Sequence, residues 1–149
     1  MALPKSLAKL VSKNRNLMNI NIIDIPKIEN ALGNIAVVEN GAIPFEIKRV
    51  YYLYDIPSSS KRGGHSHKKL QQILIAISGS FDVVLKDTLT TKTITLNKPD
   101  KGLLITNNMW RELENFSSGA VCLVLASEVF DETDYIRDYD VFLNLKNNL

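Results

Sequence analysis

The chain has 149 residues, a formal net charge of +2 and 45% hydrophobic content, which suits one globular domain with a real core. Lys and Arg are scattered rather than gathered into a stripe, so there is no nucleic-acid footprint, and no apolar span of about 18 residues offers a membrane crossing. A single cysteine, Cys122, rules out an internal disulfide, and the N-terminus lacks the apolar core of a signal peptide, so the expected compartment is the cytoplasm.

Residues 1–17 carry Lys5, Lys9, Lys13 and Arg15, with Leu7, Leu10 and Val11 at helical spacing. They are read as an extension, either a short amphipathic helix or a frayed tail, before a single domain over residues 18–149. Residues 19–25 predict a short Ile-rich strand that Pro26 stops, Gly33 a turn, residues 34–39 a strand, and Asn40-Gly41 a tight turn. Residues 48–55 predict a strong strand with Arg49, Tyr51 and Leu53 on one face and Val50, Tyr52 and Tyr54 on the other. After the loop at Pro57 comes Arg62-Gly63-Gly64-His65-Ser66-His67, then a β-branched apolar run over 70–77 broken by Gln71 and Gln72, ending at Ser78-Gly79. Further strands are expected at 80–86, 92–96, 103–105, 109–114 and 120–127, with turns between them. The acidic cluster Asp131-Glu132-Thr133-Asp134 suits the cap of a helix over 135–145. Short strands, Gly/Pro/Asn turns and one terminal helix read as an all-β barrel or sandwich.

The chemistry centres on the only two histidines, His65 and His67. Side chains at i and i+2 of an extended chain share a face, so the two imidazoles project together, about 7 Å apart along the strand. They read either as an acid/base pair at the mouth of a barrel or as two polar residues on a loop before a buried strand. The spacing after glycine resembles the first motif of the cupin barrel, a jelly roll. Metal-binding cupins continue with a glutamate and a later histidine. Here Gln71 and Gln72 stand in the first place and Trp110-Arg111 in the second. Two imidazoles fall short of the three protein ligands of a catalytic zinc site, so no metal and no cofactor are expected. Both histidines are then free to titrate near neutral pH.

Longer blocks carry a closer resemblance: residues 43–52 (Ile-Pro-Phe-Glu-Ile-Lys-Arg-Val-Tyr-Tyr), residues 62–69, Met109-Trp110-Arg111-Glu112, and residues 124–128 followed by 131–140. In this order, over about residues 18–143, they resemble the sugar 3,4-ketoisomerases that act on dTDP-4-keto-6-deoxyglucose, a metal-free family of cupin fold. The resemblance implies a cupin-type β-barrel with a short C-terminal helix, a dTDP-linked keto sugar as substrate, and a homodimer. An exchanged strand at 19–25 would be consistent with that dimer. The product would serve a 3-amino-3,6-dideoxyhexose of surface glycans. Moving a ketone from C4 to C3 needs a base for the C3 proton and a relay between the oxygens. By analogy His67 takes the carbon-bound proton, His65 moves the proton between oxygens, and Tyr51 polarises or orients the sugar.

Arg49, Arg62 and Lys69 are candidates for the pyrophosphate, with Gln72 and Arg111 lining the substrate site. Trp110 is expected to stack on the thymine or line the pocket, or else to fill the core. Arg137 and Asp138 are read as a helix-docking or dimer-contact pair. The family divides by product, gluco or galacto at C4; Arg111 inclines the reading to gluco, while Leu32 leaves it open. The competing readings are a non-catalytic nucleotide-sugar-binding cupin, a metal-dependent cupin, and a dTDP-sugar 3,5-epimerase.

Overall fold

The computed structural model describes residues 18–39 and 41–148. The expectation for residues 1–17 and the Asn40 half of the expected turn lie outside them. Twelve strands alternate with tight turns: β1 (Asn21–Asp24), β2 (Lys27–Asn30), β3 (Gly33–Ala36), β4 (Arg49–Leu53), β5 (Arg62–His67), β6 (Gln72–Ser78), β7 (Phe81–Lys86), β8 (Thr91–Leu96), β9 (Lys101–Ile105), β10 (Trp110–Glu114), β11 (Val121–Ala126) and β12 (Tyr135–Ile136). Among the described residues one α-helix, α1 (Tyr139–Asn147), follows.

The strands form two five-stranded antiparallel sheets, ordered β1-β9-β6-β11-β4 and β12-β5-β10-β7-β8, plus the hairpin β2-β3. This is the all-β jelly-roll architecture expected of a cupin. Alternation drives the sandwich: Leu74 and Ala76 of β6, Val83 and Leu85 of β7, and Cys122 and Val124 of β11 turn inward to a common core with Phe81 and Leu103. The opposite face of β6 buries Ile73 and Ile75 under the loop residues Ile43, Phe45 and Ile47. On the outer face of the second sheet, α1 docks Phe142 onto Trp110 and Ile136. No helix among the described residues is long and apolar enough to cross a membrane.

One strand lies where no element was expected, and one expectation is corrected. Residues 27–30 form a strand that hairpins with β3; the only apolar residue in Lys-Ile-Glu-Asn is Ile28, so no alternation announced it. The C-terminal helix begins at Tyr139, not Tyr135, because Asp138 is its cap: Asp138 Oδ1 accepts the Val141 backbone N–H at 3.1 Å. The acidic cluster instead forms a single 3₁₀ turn, Glu132–Asp134, and Tyr135–Ile136 pairs with β5.

Candidate active site

Two glycines set how β5 presents its histidines. Arg111 lies opposite His65 and Glu112 opposite Gly63, so Gly64 is an extra residue, a β-bulge that turns the strand where His65 leaves it. Gly63 and Gly64 hold φ of 82° and 69°, the left-handed region that side chains resist. A Cβ on Gly63 would stand 3.0 Å from the Arg111 carbonyl oxygen. Past the bulge, His65 and His67 share the inward face, their rings 4.9 Å apart and nearly perpendicular. Tyr135, opposite His67 in the β12 pairing, closes the cluster with its ring 5.0 Å from His65 and 4.3 Å from His67.

His65 lines a cavity of about 530 Å³ between the sheets. His67 is fully buried and is not on that wall. Burial, and next the Arg111 charge, pull His65 down to about 4, and the same causes in the same order lower His67 further. In the ligand-free protein both rings are therefore neutral near pH 7.

A hydrogen-bonded chain runs from beside His65 across to the other sheet. Arg111, 1% exposed, donates through Nη1 to Gln72 Oε1 at 2.7 Å and through Nη2 to the Met109 carbonyl at 2.8 Å. Gln72 Nε2 donates in turn to the Tyr51 hydroxyl oxygen at 2.9 Å. That leaves the Tyr51 proton free to donate, and burial raises Tyr51 above its usual range so that it keeps this proton. Burial lowers Arg111 to about 10, still charged at neutral pH. Arg49 stacks over the Tyr51 ring at 5.1 Å.

Among the described residues five cations line the cavity (Arg49, Lys61, Arg62, Arg111 and Arg137) and no carboxylate does. Lys61 pairs with Glu114 and Arg137 with Glu132, the latter through two hydrogen bonds of 2.7 and 2.9 Å. Among the described residues, Arg49, Arg62 and Arg111 have no carboxylate within ion-pair distance. No group of three or more metal-ligating side chains gathers among the described residues.

Of the residues singled out from the sequence, Tyr51, His65, Arg49, Arg62, Gln72 and Arg111 meet at this cavity, with His67 behind it. Two do not. Lys69 is exposed on the turn after β5 and lines a separate groove with Lys68 and Asp131. Trp110 faces the other side of β10 from Arg111 and is buried beneath α1, with rings of Tyr139 and Phe142 at 5.1 and 5.7 Å. Adjacent strand residues point to opposite faces, so Trp110 and Arg111 cannot share one wall. Tyr135 and Arg137 line the cavity although the sequence reading put both in a helix. Leu32 is 98% exposed at the β2–β3 turn.

Residues 18–147 match the family model described as FdtA, WxcM-like, C-terminal. A TDP-4-oxo-6-deoxy-alpha-D-glucose-3,4-oxoisomerase of Aneurinibacillus thermoaerophilus is 46% identical over 126 residues, 84% of this chain and 91% of its own. A 3,4-ketoisomerase from Helicobacter canadensis superposes with a TM-score of 0.85 at 48% identity, over 88% of this chain and 99% of its own. The 3,4-ketoisomerase QdtA of Thermoanaerobacterium thermosaccharolyticum, as a His-to-Asn mutant in complex with TDP-4-keto-6-deoxyglucose, superposes with a TM-score of 0.86 at 44% identity, over 89% and 96%. By a match over most of its length and by identity well above the level at which only a fold is shared, the chain belongs to the FdtA, WxcM-like family, the family of these sugar 3,4-ketoisomerases.

Proposed function

We propose that this protein is a sugar 3,4-ketoisomerase that converts dTDP-4-keto-6-deoxy-D-glucose to a dTDP-3-keto-6-deoxyhexose through an enediol. The observation that carries the reading is a neutral imidazole, His65, on the wall of a cavity lined by five cations and no carboxylate. The cations suit a pyrophosphate, with Arg49 and Arg62 as its forks. The base meets the first requirement of the chemistry, an acceptor for the C3 proton.

We assign that proton to His65, because it is the imidazole that lines the cavity; this reverses the order taken from the resemblance. Its low proton affinity in the free protein rises once the substrate's negative charge lies among the guanidiniums. As C3–H breaks, the electron pair moves to the C3–C4 bond and charge gathers on the C4 oxygen. Tyr51 and Arg111 donate to that oxygen, with Gln72 holding both donors in place. Substrate entry brings His67, buried behind the wall in the ligand-free protein, within reach of the sugar, where it carries the hydroxyl proton from the C3 oxygen to the C4 oxygen. His65 then returns its proton to C4, which leaves a ketone at C3 and a hydroxyl at C4.

Arg111 inclines the product to gluco. The pathway is that of a 3-amino-3,6-dideoxyhexose for surface glycans, and the buried, unpaired Cys122 suits a cytoplasmic enzyme. The working form is a homodimer. The β2–β3 hairpin leaves Ile28, Leu32 and Ile35 exposed, and the outer face of β4 leaves Val50 and Tyr52 exposed. A lone two-stranded hairpin is marginal in water, and a second copy of the chain would cover these residues. Beside the exchange expected at residues 19–25, the exposed hairpin is a second segment set to reach a neighbour.

The test is proton NMR of EDTA-treated protein with dTDP-4-keto-6-deoxyglucose in deuterated water, with His65→Asn alongside. A 3-keto product from wild type alone supports the reading, and the C4 coupling gives gluco or galacto. Binding without turnover would favour a nucleotide-sugar-binding module; solvent exchange with inversion at C3 or C5 would favour an epimerase.

A further inference from the structure

Asp134 lies directly behind the histidine pair, and the reaction as described gives it no part. Its carboxylate is fixed by the turn after β5: Oδ1 accepts the Lys69 backbone N–H at 2.8 Å and Oδ2 that of Leu70 at 3.2 Å. Its own carbonyl accepts the Lys68 N–H at 3.0 Å, and the next residue, Tyr135, pairs with His67. The segment that carries Asp134 is thus tied to the strand that carries His67 on both sides. Held in this way, Oδ2 stands 3.3 Å from His67 Nδ1. The two atoms are within reach but not aligned as a hydrogen bond, and Nδ1 has no other partner among the described residues; contacts of this kind align when substrate fills a site.

The other charged groups around His67 are cations. Arg111 of β10, Arg49 of β4 and Arg137 after β12 are cations that oppose its protonation, and His65 of β5 does the same. Tyr135 of β12 meets the ring at a tilt of 62°. Asp134 is the one carboxylate within ion-pair distance of His67 among the described residues. The two nitrogens of an imidazole diverge, so whichever edge meets the carboxylate decides which nitrogen keeps its lone pair.

We propose that Asp134 is a positioning residue: its carboxylate accepts the Nδ1 proton of His67, selects that tautomer, and leaves Nε2 as the atom that accepts a proton from the sugar hydroxyl. The part played by Nε2 rests on the isomerase reading, whereas the tautomer is a property of the ligand-free protein.

The two are tested separately. In protein labelled with ¹⁵N-histidine, with His65→Asn used to assign the signals, long-range proton–nitrogen spectra at pH 7.5 should show a protonated Nδ1 and a bare Nε2 at His67. Asp134→Asn should lose that pattern, lower kcat more than it raises KM, by about 10- to 100-fold (the range for removing a carboxylate behind a metal-bound imidazole), and shift the pH profile of kcat. Asp134→Glu should restore part of both. A wild-type His67 protonated on Nε2 would overturn the proposal. So would an Asp134→Asn protein of lowered melting temperature whose His67 signals and pH profile match wild type, which is the behaviour of a purely structural turn residue. If wild type turns over no keto sugar, the isomerase reading falls, and the nitrogen spectra alone decide the role of Asp134.

Discussion

The Arg111 guanidinium donates to Gln72 Oε1 at 2.7 Å, so a buried cation is held by a neutral amide where an acid would normally compensate it. A charge kept in a low-dielectric site without a counterion acts strongly on any anion that arrives. In the isomerase reaction proposed above that anion is the enediolate, and the amide holds the cation without neutralising it.

Replacing Gln72 separates holding from neutralising. Gln72→Leu strands Arg111 Nη1 and the Tyr51 hydroxyl and should destabilise the fold by about 1–3 kcal/mol, read as a lower melting temperature. Gln72→Glu should keep the fold, since it still accepts from Arg111, yet slow turnover because the guanidinium now has a partner. Turnover equal to wild type in Gln72→Glu would remove Arg111 from the charge-stabilising role.

The histidines should be costly to lose one at a time. His65→Asn and His67→Asn should each lower kcat by roughly 10²- to 10⁴-fold, the usual worth of a positioned proton carrier, with dTDP affinity held within a few-fold because the cations remain. Steady-state kinetics beside calorimetric dTDP titration would check the split.

Stability should depend on pH below neutrality. The folded protein holds His65 at about 4, against 6.5 ordinarily, through burial and then Arg111. Between those values the unfolded chain binds a proton that the folded chain refuses, so stability is complete above about pH 6.5 and falls as pH drops toward 4. His67 is lowered as well and pulls the same way. Denaturant titrations from pH 7.5 to 4.5 should show this slope, and it should be shallower in His65→Asn.

The paired glycines should differ in what they tolerate. At Gly64 a Cβ meets nothing within 4 Å, so Gly64→Ala bears only the left-handed backbone cost of about 1–2 kcal/mol. At Gly63 the Cβ also presses on the Arg111 carbonyl at 3.0 Å. Gly63→Ala should therefore lose more stability and, by moving β10, more activity. Melting temperatures and kcat of the two variants give the comparison; equal losses would refute the role of the bulge.

If a second copy covers the hairpin, the double substitution Leu32→Lys and Tyr52→Lys should halve the mass measured by light scattering without unfolding the barrel. Both side chains are exposed here, so the monomer should tolerate the charges.

Much of the architecture was written in the period-two alternation of the chain. Arg49-Val50-Tyr51-Tyr52-Leu53 sorts its faces as expected, with Arg49, Tyr51 and Leu53 half-buried and Val50 and Tyr52 exposed. The shared face of the histidines followed from their spacing. What escaped depended on partners distant in sequence. Asp134 looked like a helix cap because Asp is a good one, yet its acceptors go to the N–H groups of Lys69 and Leu70. Tyr135 and Arg137 reach the cavity only because β12 adds to β5, a pairing that two residues of sequence do not announce. Lys69 was assigned to the pyrophosphate on charge alone, while the turn that bears it leads away from the cavity.

The chain has one tryptophan, Trp110, 5% exposed beneath α1 with Tyr139 and Phe142 against it. The protein therefore carries a built-in optical reporter, next in sequence to a cavity residue yet on the far side of the strand. Its emission should redden when the terminal helix lifts off, while quenchers placed in the cavity leave it untouched. Fluorescence can thus time the undocking of α1 separately from events around Arg111, with no label added.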